Sequence, residues 1–152
     1  MKKKRMVKAV FVIYCFVLFF ILFCRTGINI ATNIQNIADR LNDSANLIPF
    51  KTIDNYIHAY KHGYIARQVF FANIIGNLIL FIPMGMILPA VFKRCKKHLH
   101  ALAITVLMIV TAEALQIILG VGRLDIDDFI LNLLGAVLGR LIYDVISLIK
   151  RI

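Results

Sequence analysis

Apolar positions fall into four long blocks separated by charge: residues 7–24, 69–92, 99 to about 121, and about 128 to 149. The second block has no charged residue, the third has only Glu113, and the fourth carries Arg140 and Asp144. A helix rising ~1.5 Å per residue needs about 20 apolar residues to cross ~30 Å of hydrocarbon. The pattern therefore predicts four spanning helices. The stretch 25–68 is different. Residues 28–45 mix Asn, Gln, Asp and Ile, as a short amphipathic helix would. Pro49 then breaks it, because proline disfavours helix at the residue before it. In 54–64, Tyr56, Ile57, Tyr60 and Tyr64 recur at helical spacing, as expected of a helix on the membrane surface or packed on the bundle.

Composition agrees. Of 152 residues, 61% are hydrophobic and only 17% charged, against ~25% charged in a soluble domain. One small core cannot hide that excess, so a soluble globular protein and a disordered chain are both disfavoured. The expected fold class is all-α: a polytopic, four-helix transmembrane bundle with a partly helical extracytoplasmic segment. Its parts are a basic segment and first anchor (1–24), an outer segment (25–68) and a three-span remainder (69–152). The first span has no small-residue cleavage site after it and is expected to stay as an anchor.

The net charge of +10 places the bundle. Lys and Arg concentrate at the N-terminus (Lys2, Lys3, Lys4, Arg5, Lys8), between spans two and three (Lys93, Arg94, Lys96, Lys97) and at the C-terminus (Lys150, Arg151). The positive-inside rule then makes both termini cytoplasmic in a bacterial plasma membrane. With this hydropathy the charge points to membrane lipids as partners and not to nucleic acid. The scattered Cys15, Cys24 and Cys95 form no disulfide framework.

Intramembrane polar residues are costly, so their positions are informative. From the rise per residue, Asn73 and Asn77 lie ~6 and ~12 Å below the outer boundary, Gln116 and Glu113 ~6 and ~10 Å, and Asn132 ~6 Å. Three spans thus place polar groups at one level. The i,i+3 and i,i+4 spacings of Asn73/Asn77, Glu113/Gln116 and Asp125/Asp128/Asn132 give each set one face. Gly135 and Gly139 continue the last stripe, and Gly76 and Gly85 are expected to permit close approach in span two. The prediction is an outward-facing polar cavity with tight packing beneath it. The alternative is that the amides serve as interhelical glue, worth ~1 kcal/mol or less each.

The segment 123–128 adds Arg123, Asp125, Asp127 and Asp128. Asp127 and Asp128 suit the N-cap or first turn of span four, which explains Asp125 poorly. Asp125 and Asp128 are candidate divalent-metal ligands through oxygen, unless Arg123 neutralises them. His58 and His62 lack a third ligand and are expected to be a surface pair. Arg140 and Asp144, four residues apart, are expected to be a structural ion pair. Motifs of zinc proteases, serine hydrolases, phosphate-binding loops and Cys-x-x-Cys redox centres are absent from the sequence, and no cofactor is implied.

Ordered blocks carry a resemblance. Residues 46–53 (NLIPFKTI), 73–85 (NIIGNLILFIPMG), Glu113-Ala114-Leu115-Gln116, Arg123-Leu124-Asp125-Ile126-Asp127-Asp128, and Asn132-Leu133-Leu134-Gly135 with Gly139 together resemble the VanZ-like family over about 46–140. The resemblance implies a membrane protein of glycopeptide-resistance type, linked to teicoplanin.

Two functional expectations follow. The first is a non-enzymatic envelope protein that binds a lipid, a lipid-linked precursor, a lipoglycopeptide or a partner protein. Asn73, Asn77, Glu113, Gln116, Arg123, Asp125, Asp128 and Asn132 would contact it. The second is an intramembrane enzyme on a lipid-linked envelope substrate, with Glu113 as acid or base and Asp125 and Asp128 on a metal. A homo-oligomer stays open in either case.

Overall fold

The computed structural model describes residues 2–24, 45–122 and 124–150. The helix expected over 28–45, apart from its last residue, and Arg123 lie outside the described residues. Among the described residues five helices follow in order: α1 (Lys2–Cys24), α2 (Lys51–Lys61), α3 (Arg67–Val91), α4 (His98–Leu119) and α5 (Ile126–Ile149), with a 3-10 turn at Lys93–Lys96 between α3 and α4. Helices α1, α3, α4 and α5 are each long and apolar enough to cross a membrane. Large apolar side chains stand exposed on them, Phe16 at 72%, Leu107 at 65% and Leu141 at 54%. A water-facing helix bundle would hide such residues. This is a polytopic membrane bundle, as the hydropathy predicts.

Local chemistry sets the ends. Helix α2 starts and stops three residues earlier than the spacing predicts. Phe50 precedes it with φ 66°. At its far end Gly63 takes φ 72°, its N–H donating to Tyr60 O (3.1 Å) and that of Tyr64 to Ala59 O (2.8 Å). That paired reversal around a left-handed glycine terminates a helix whatever the periodicity beyond it. Gly120, at φ 65°, ends α4 in the same manner.

The closest packing joins α3 to α5. A Cβ on Gly135 would lie 2.0 Å from Leu78 O, one on Gly139 1.9 Å from Ile82 O, and one on Gly85 1.9 Å from Ala136 O. No side chain larger than hydrogen fits there, so the two backbones touch as small residues permit. Gly76 departs from the expectation: an added Cβ there meets nothing within 4 Å. It faces away from the crossing and does no packing work. Helix α1 packs against α3 and α4, and the Tyr14 hydroxyl donates to Leu80 O of α3 at 2.8 Å. Leu18, Phe81, Met84, Leu88, Ile109 and Ala136 form the apolar core between the helices.

The bundle has two chemically distinct ends. One holds the 3-10 turn and its lysines, with Arg140 reaching into it. The other holds α2, the α4–α5 connection and the carboxylates.

Candidate functional site

The acidic end is built around the start of α5. Asp125 is the N-cap of that helix, and its Oδ1 accepts the Asp127 N–H at 2.9 Å. The remaining acceptor positions of Asp125 take Asn46 Nδ2 at 3.2 Å and the Thr52 hydroxyl at 2.6 Å. Asn46 and Asp125 also pair by backbone: Asn46 N–H donates to Leu124 O (2.8 Å) and Ile126 N–H donates to Asn46 O (2.9 Å). Asp125 therefore makes the N-cap, and Asp127 and Asp128 fall in the first turn of α5, the other place that the sequence offered them.

Asp127 does something a sequence cannot announce. Its side chain is fully buried. Oδ1 accepts the Phe50 N–H at 2.5 Å, while Oδ2 accepts the N–H groups of Thr52 (2.7 Å) and Ile53 (3.1 Å). These donors belong to the first turn of α2, where helical N–H groups have no partner in their own helix. A carboxylate is the natural acceptor there, because the helix dipole adds to the hydrogen bonds. Asp127 thus caps α2 from another helix, over 70 residues away in sequence. Thr52, Asn46 and Asp127 are the structural residues of this end that site reasoning missed. The signal was the polar pair Asn46 and Thr52 flanking a proline turn.

Beneath this capped layer the intramembrane polar residues divide. Asn77 Nδ2 donates to Asp128 Oδ1 at 2.5 Å, joining α3 to α5. Asp128 and Asp125 are the charged neighbours of Glu113, which brings α4 to the same place. Glu113 is 7% exposed and Asn132 4%. Glu113 Oε2 and Asn132 Oδ1 are both buried without a hydrogen-bond partner. Buried oxygens in native proteins nearly always have partners, so two at one end of a bundle call for an explanation. Two other residues do not join them. Asn73 Nδ2 turns back to Val69 O of its own helix at 2.7 Å. Gln116 Nε2 donates to Leu22 O of α1 at 3.1 Å, which is helix-to-helix glue.

A cleft of about 310 Å³ opens beside Glu113, between α4 and the start of α5, with Leu47, Val110, Ala114 and Phe129 among its walls. Its lining is almost wholly apolar, so Glu113 and Asp125 supply its polar chemistry. As for metal, no three His, Cys, Asp or Glu side chains come together as a site among the described residues. A ligand role for Asp125 would require it to release the cap and Thr52. His58 and His62 stack ring on ring at 4.0 Å on exposed α2, as a surface pair. Arg140 and Asp144 form the expected ion pair, at 3.0 Å.

Four apolar spans, a glycine crossing and a buried amide–carboxylate group at one end define a polytopic membrane protein with a polar site built between its helices. The chain belongs to the VanZ/LLP1 family, whose profile matches residues 11–147. It is similar to Protein VanZ of Enterococcus faecium, 32% identical over 111 residues, which are 73% of this chain and 59% of that relative. The chain therefore spans less than two thirds of the relative's length. No solved structure matches it.

Proposed function

We propose that this chain is a bacterial envelope membrane protein that binds an amphiphile at its acidic end, and that such binding contributes to glycopeptide tolerance of the teicoplanin type. The observation behind this reading is the pair of unpartnered acceptors, Glu113 Oε2 and Asn132 Oδ1, buried at the end where a cleft with apolar walls opens beside Glu113. Acceptors without donors favour a ligand head that donates, an ammonium or a hydroxyl. The walls favour an attached acyl or aryl group. The excess of Lys and Arg at the opposite end supports a cytoplasmic placement of that end and an outer placement of this one, where a lipid, a lipid-linked precursor or a lipoglycopeptide would meet it.

The test uses the full chain in nanodiscs, with teicoplanin and phosphatidylethanolamine as probes. Glu113→Gln and Asp128→Asn are expected to weaken binding by about tenfold or more, the factor ~1.4 kcal/mol represents. In cells lacking the native copy, the same variants should fail to restore drug tolerance while inserting normally. Unchanged binding together with unchanged tolerance would overturn the reading.

A further inference from the structure

The basic end holds a second cavity that the acidic-end site does not use. It measures about 360 Å³ and lies between α3, α4 and α5. Its deeper wall is small and apolar: Gly85, Leu88, Ala101 and Ala136, with Thr105 as the polar exception. Its outer edge carries Leu102, Val137 and Leu141, all exposed on the lipid-facing side of their helices. The mouth is formed by His98 and Leu99, the first two residues of α4, with Arg140 behind them.

Charge tells what belongs at that mouth. Lys93, Arg94, Lys96, Lys97, His98 and His100 are all exposed within eight residues. Among the described residues the carboxylate that faces this cluster is Asp144: Arg140 Nε holds its two oxygens at 3.1 and 3.0 Å, and Oδ2 also lies 3.8 Å from His98 Nε2, so Lys96 and Lys97 are the cations it leaves open. The first turn of α4 has no side-chain cap, so its N–H groups point at the mouth, where an anion is favoured. Arg140 itself is committed: Nη1 and Nη2 donate to Cys95 O (2.6 Å) and Lys96 O (2.7 Å). It holds the basic turn in place above the groove, and the lysines carry the free charge.

We infer that this groove is a binding site for an anionic phospholipid, one acyl chain lying between α4 and α5 and the phosphate resting at the start of α4 against Lys96, Lys97 and His98. A groove that runs from an uncapped helix N-terminus down an apolar, membrane-facing wall matches the division of such a lipid into a charged head and a hydrocarbon tail. A zwitterionic lipid would fill the groove and gain little from the cations.

The experiment is native mass spectrometry of the full chain, released from nanodiscs of equal phosphatidylglycerol and phosphatidylcholine. One phosphatidylglycerol per chain should be retained in preference. Removing two charges by Lys96→Gln with Lys97→Gln leaves Lys93 and Arg94 to keep topology. It should erase most of that preference, each lysine counting about fivefold on the ~1 kcal/mol that a basic residue gains near an anionic surface. Val137→Phe projects into the groove from an exposed position, so folding is undisturbed; it should reduce retention of both lipids. Glycerol phosphate alone should not compete. Equal retention of the two lipids, retention unchanged in Val137→Phe, or full competition by glycerol phosphate would each overturn the inference. None of these outcomes bears on the acidic-end variants, so the two sites are judged separately.

Discussion

Helix α5 grips a connecting segment at each end, with opposite chemistry. At its start Asp127 accepts three backbone N–H groups from residues 50–53. Near its finish Arg140 donates to two backbone carbonyls of residues 95–96. The clamps differ in what surrounds them. Arg140 brings its own counter-ion, Asp144, one turn away, so this clamp is balanced locally. Asp127 is balanced by helix-end N–H groups, and the carboxyl groups next to it, Asp125, Asp128 and Glu113, add acceptors without adding donors among the described residues. A clamp satisfied locally at one end and, among the described residues, a surplus of acceptors at the other make the acidic end the better candidate for recognising a donating head. The basic end suits anchoring.

The comparison requires α5 to be one rigid rod, which the glycine crossing ensures. The largest effect is therefore expected from Gly139→Leu or Gly135→Val. A Cβ 1.9–2.0 Å from a carbonyl oxygen of α3 exceeds ordinary overpacking, which costs ~1–3 kcal/mol. Folded yield in detergent should collapse and both clamps should open together. Gly76→Ala is the control and should be silent or slightly stabilising, because alanine favours helix by up to ~1 kcal/mol.

Next in size is Asp127→Asn. The shape is kept, but one oxygen becomes an NH2 that confronts backbone N–H groups. Hydrogen bonds to a charged acceptor are worth ~1.5–3 kcal/mol each, so a local loss of about 3 kcal/mol is expected. Hydrogen exchange should rise by about two orders of magnitude at the amides of Phe50, Thr52 and Ile53, and not at the basic turn. Exchange that rises equally at both ends would show that the clamps are not independent.

The spans were legible because hydrophobic runs and charge gaps depend only on local sequence, and each apolar block is a helix. Rise per residue grouped Asn77 with Glu113 but left Asp128 at the outer boundary, so the bond between Asn77 and Asp128 was not legible. Asn73 shows where this stops. Its spacing from Asn77 puts both on one face, yet Asn73 finds its own i−4 carbonyl, a partner available to any helical Asn without a neighbour. Gly76 fails for a similar reason: a small residue permits contact but does not aim it. The role of Asp127 required knowing which helix end lies above α5, a tertiary fact that no window of sequence contains. Helix α2 was misplaced because a left-handed glycine overrides a pattern of aromatic residues.

At the basic clamp, Cys95 provides the readout. The residue is fully buried, and burial holds its thiol above the ordinary range while nearby Arg140 pulls the other way. Arg140→Lys keeps the charge but loses the forked donation to two carbonyls. A cost of about 1–2 kcal/mol is expected, and maleimide should label Cys95 roughly tenfold faster than in the unchanged chain. Labelling at an unchanged rate would mean that the turn is held by its own 3-10 bonds and Arg140 is dispensable.

The smallest change in stability, and the sharpest test of the contrast, is expected from Glu113→Gln. If Glu113 were a structural residue like Asp127, replacing it would cost as much as Asp127→Asn. Its Oε2 has no partner to lose, and a neutral amide removes a carboxyl group from beside Asp125 and Asp128. Three carboxyl groups that close are unfavourable together, and replacing one by an amide relieves the others. Thermal unfolding in detergent should therefore stay within about 0.5 kcal/mol of the unchanged chain or move upward. A stability gain combined with lost binding is the mark of a site kept for function against the interest of the fold. A loss as large as that of Asp127→Asn would make Glu113 part of the acidic clamp, and the two ends of α5 would then differ only in sign.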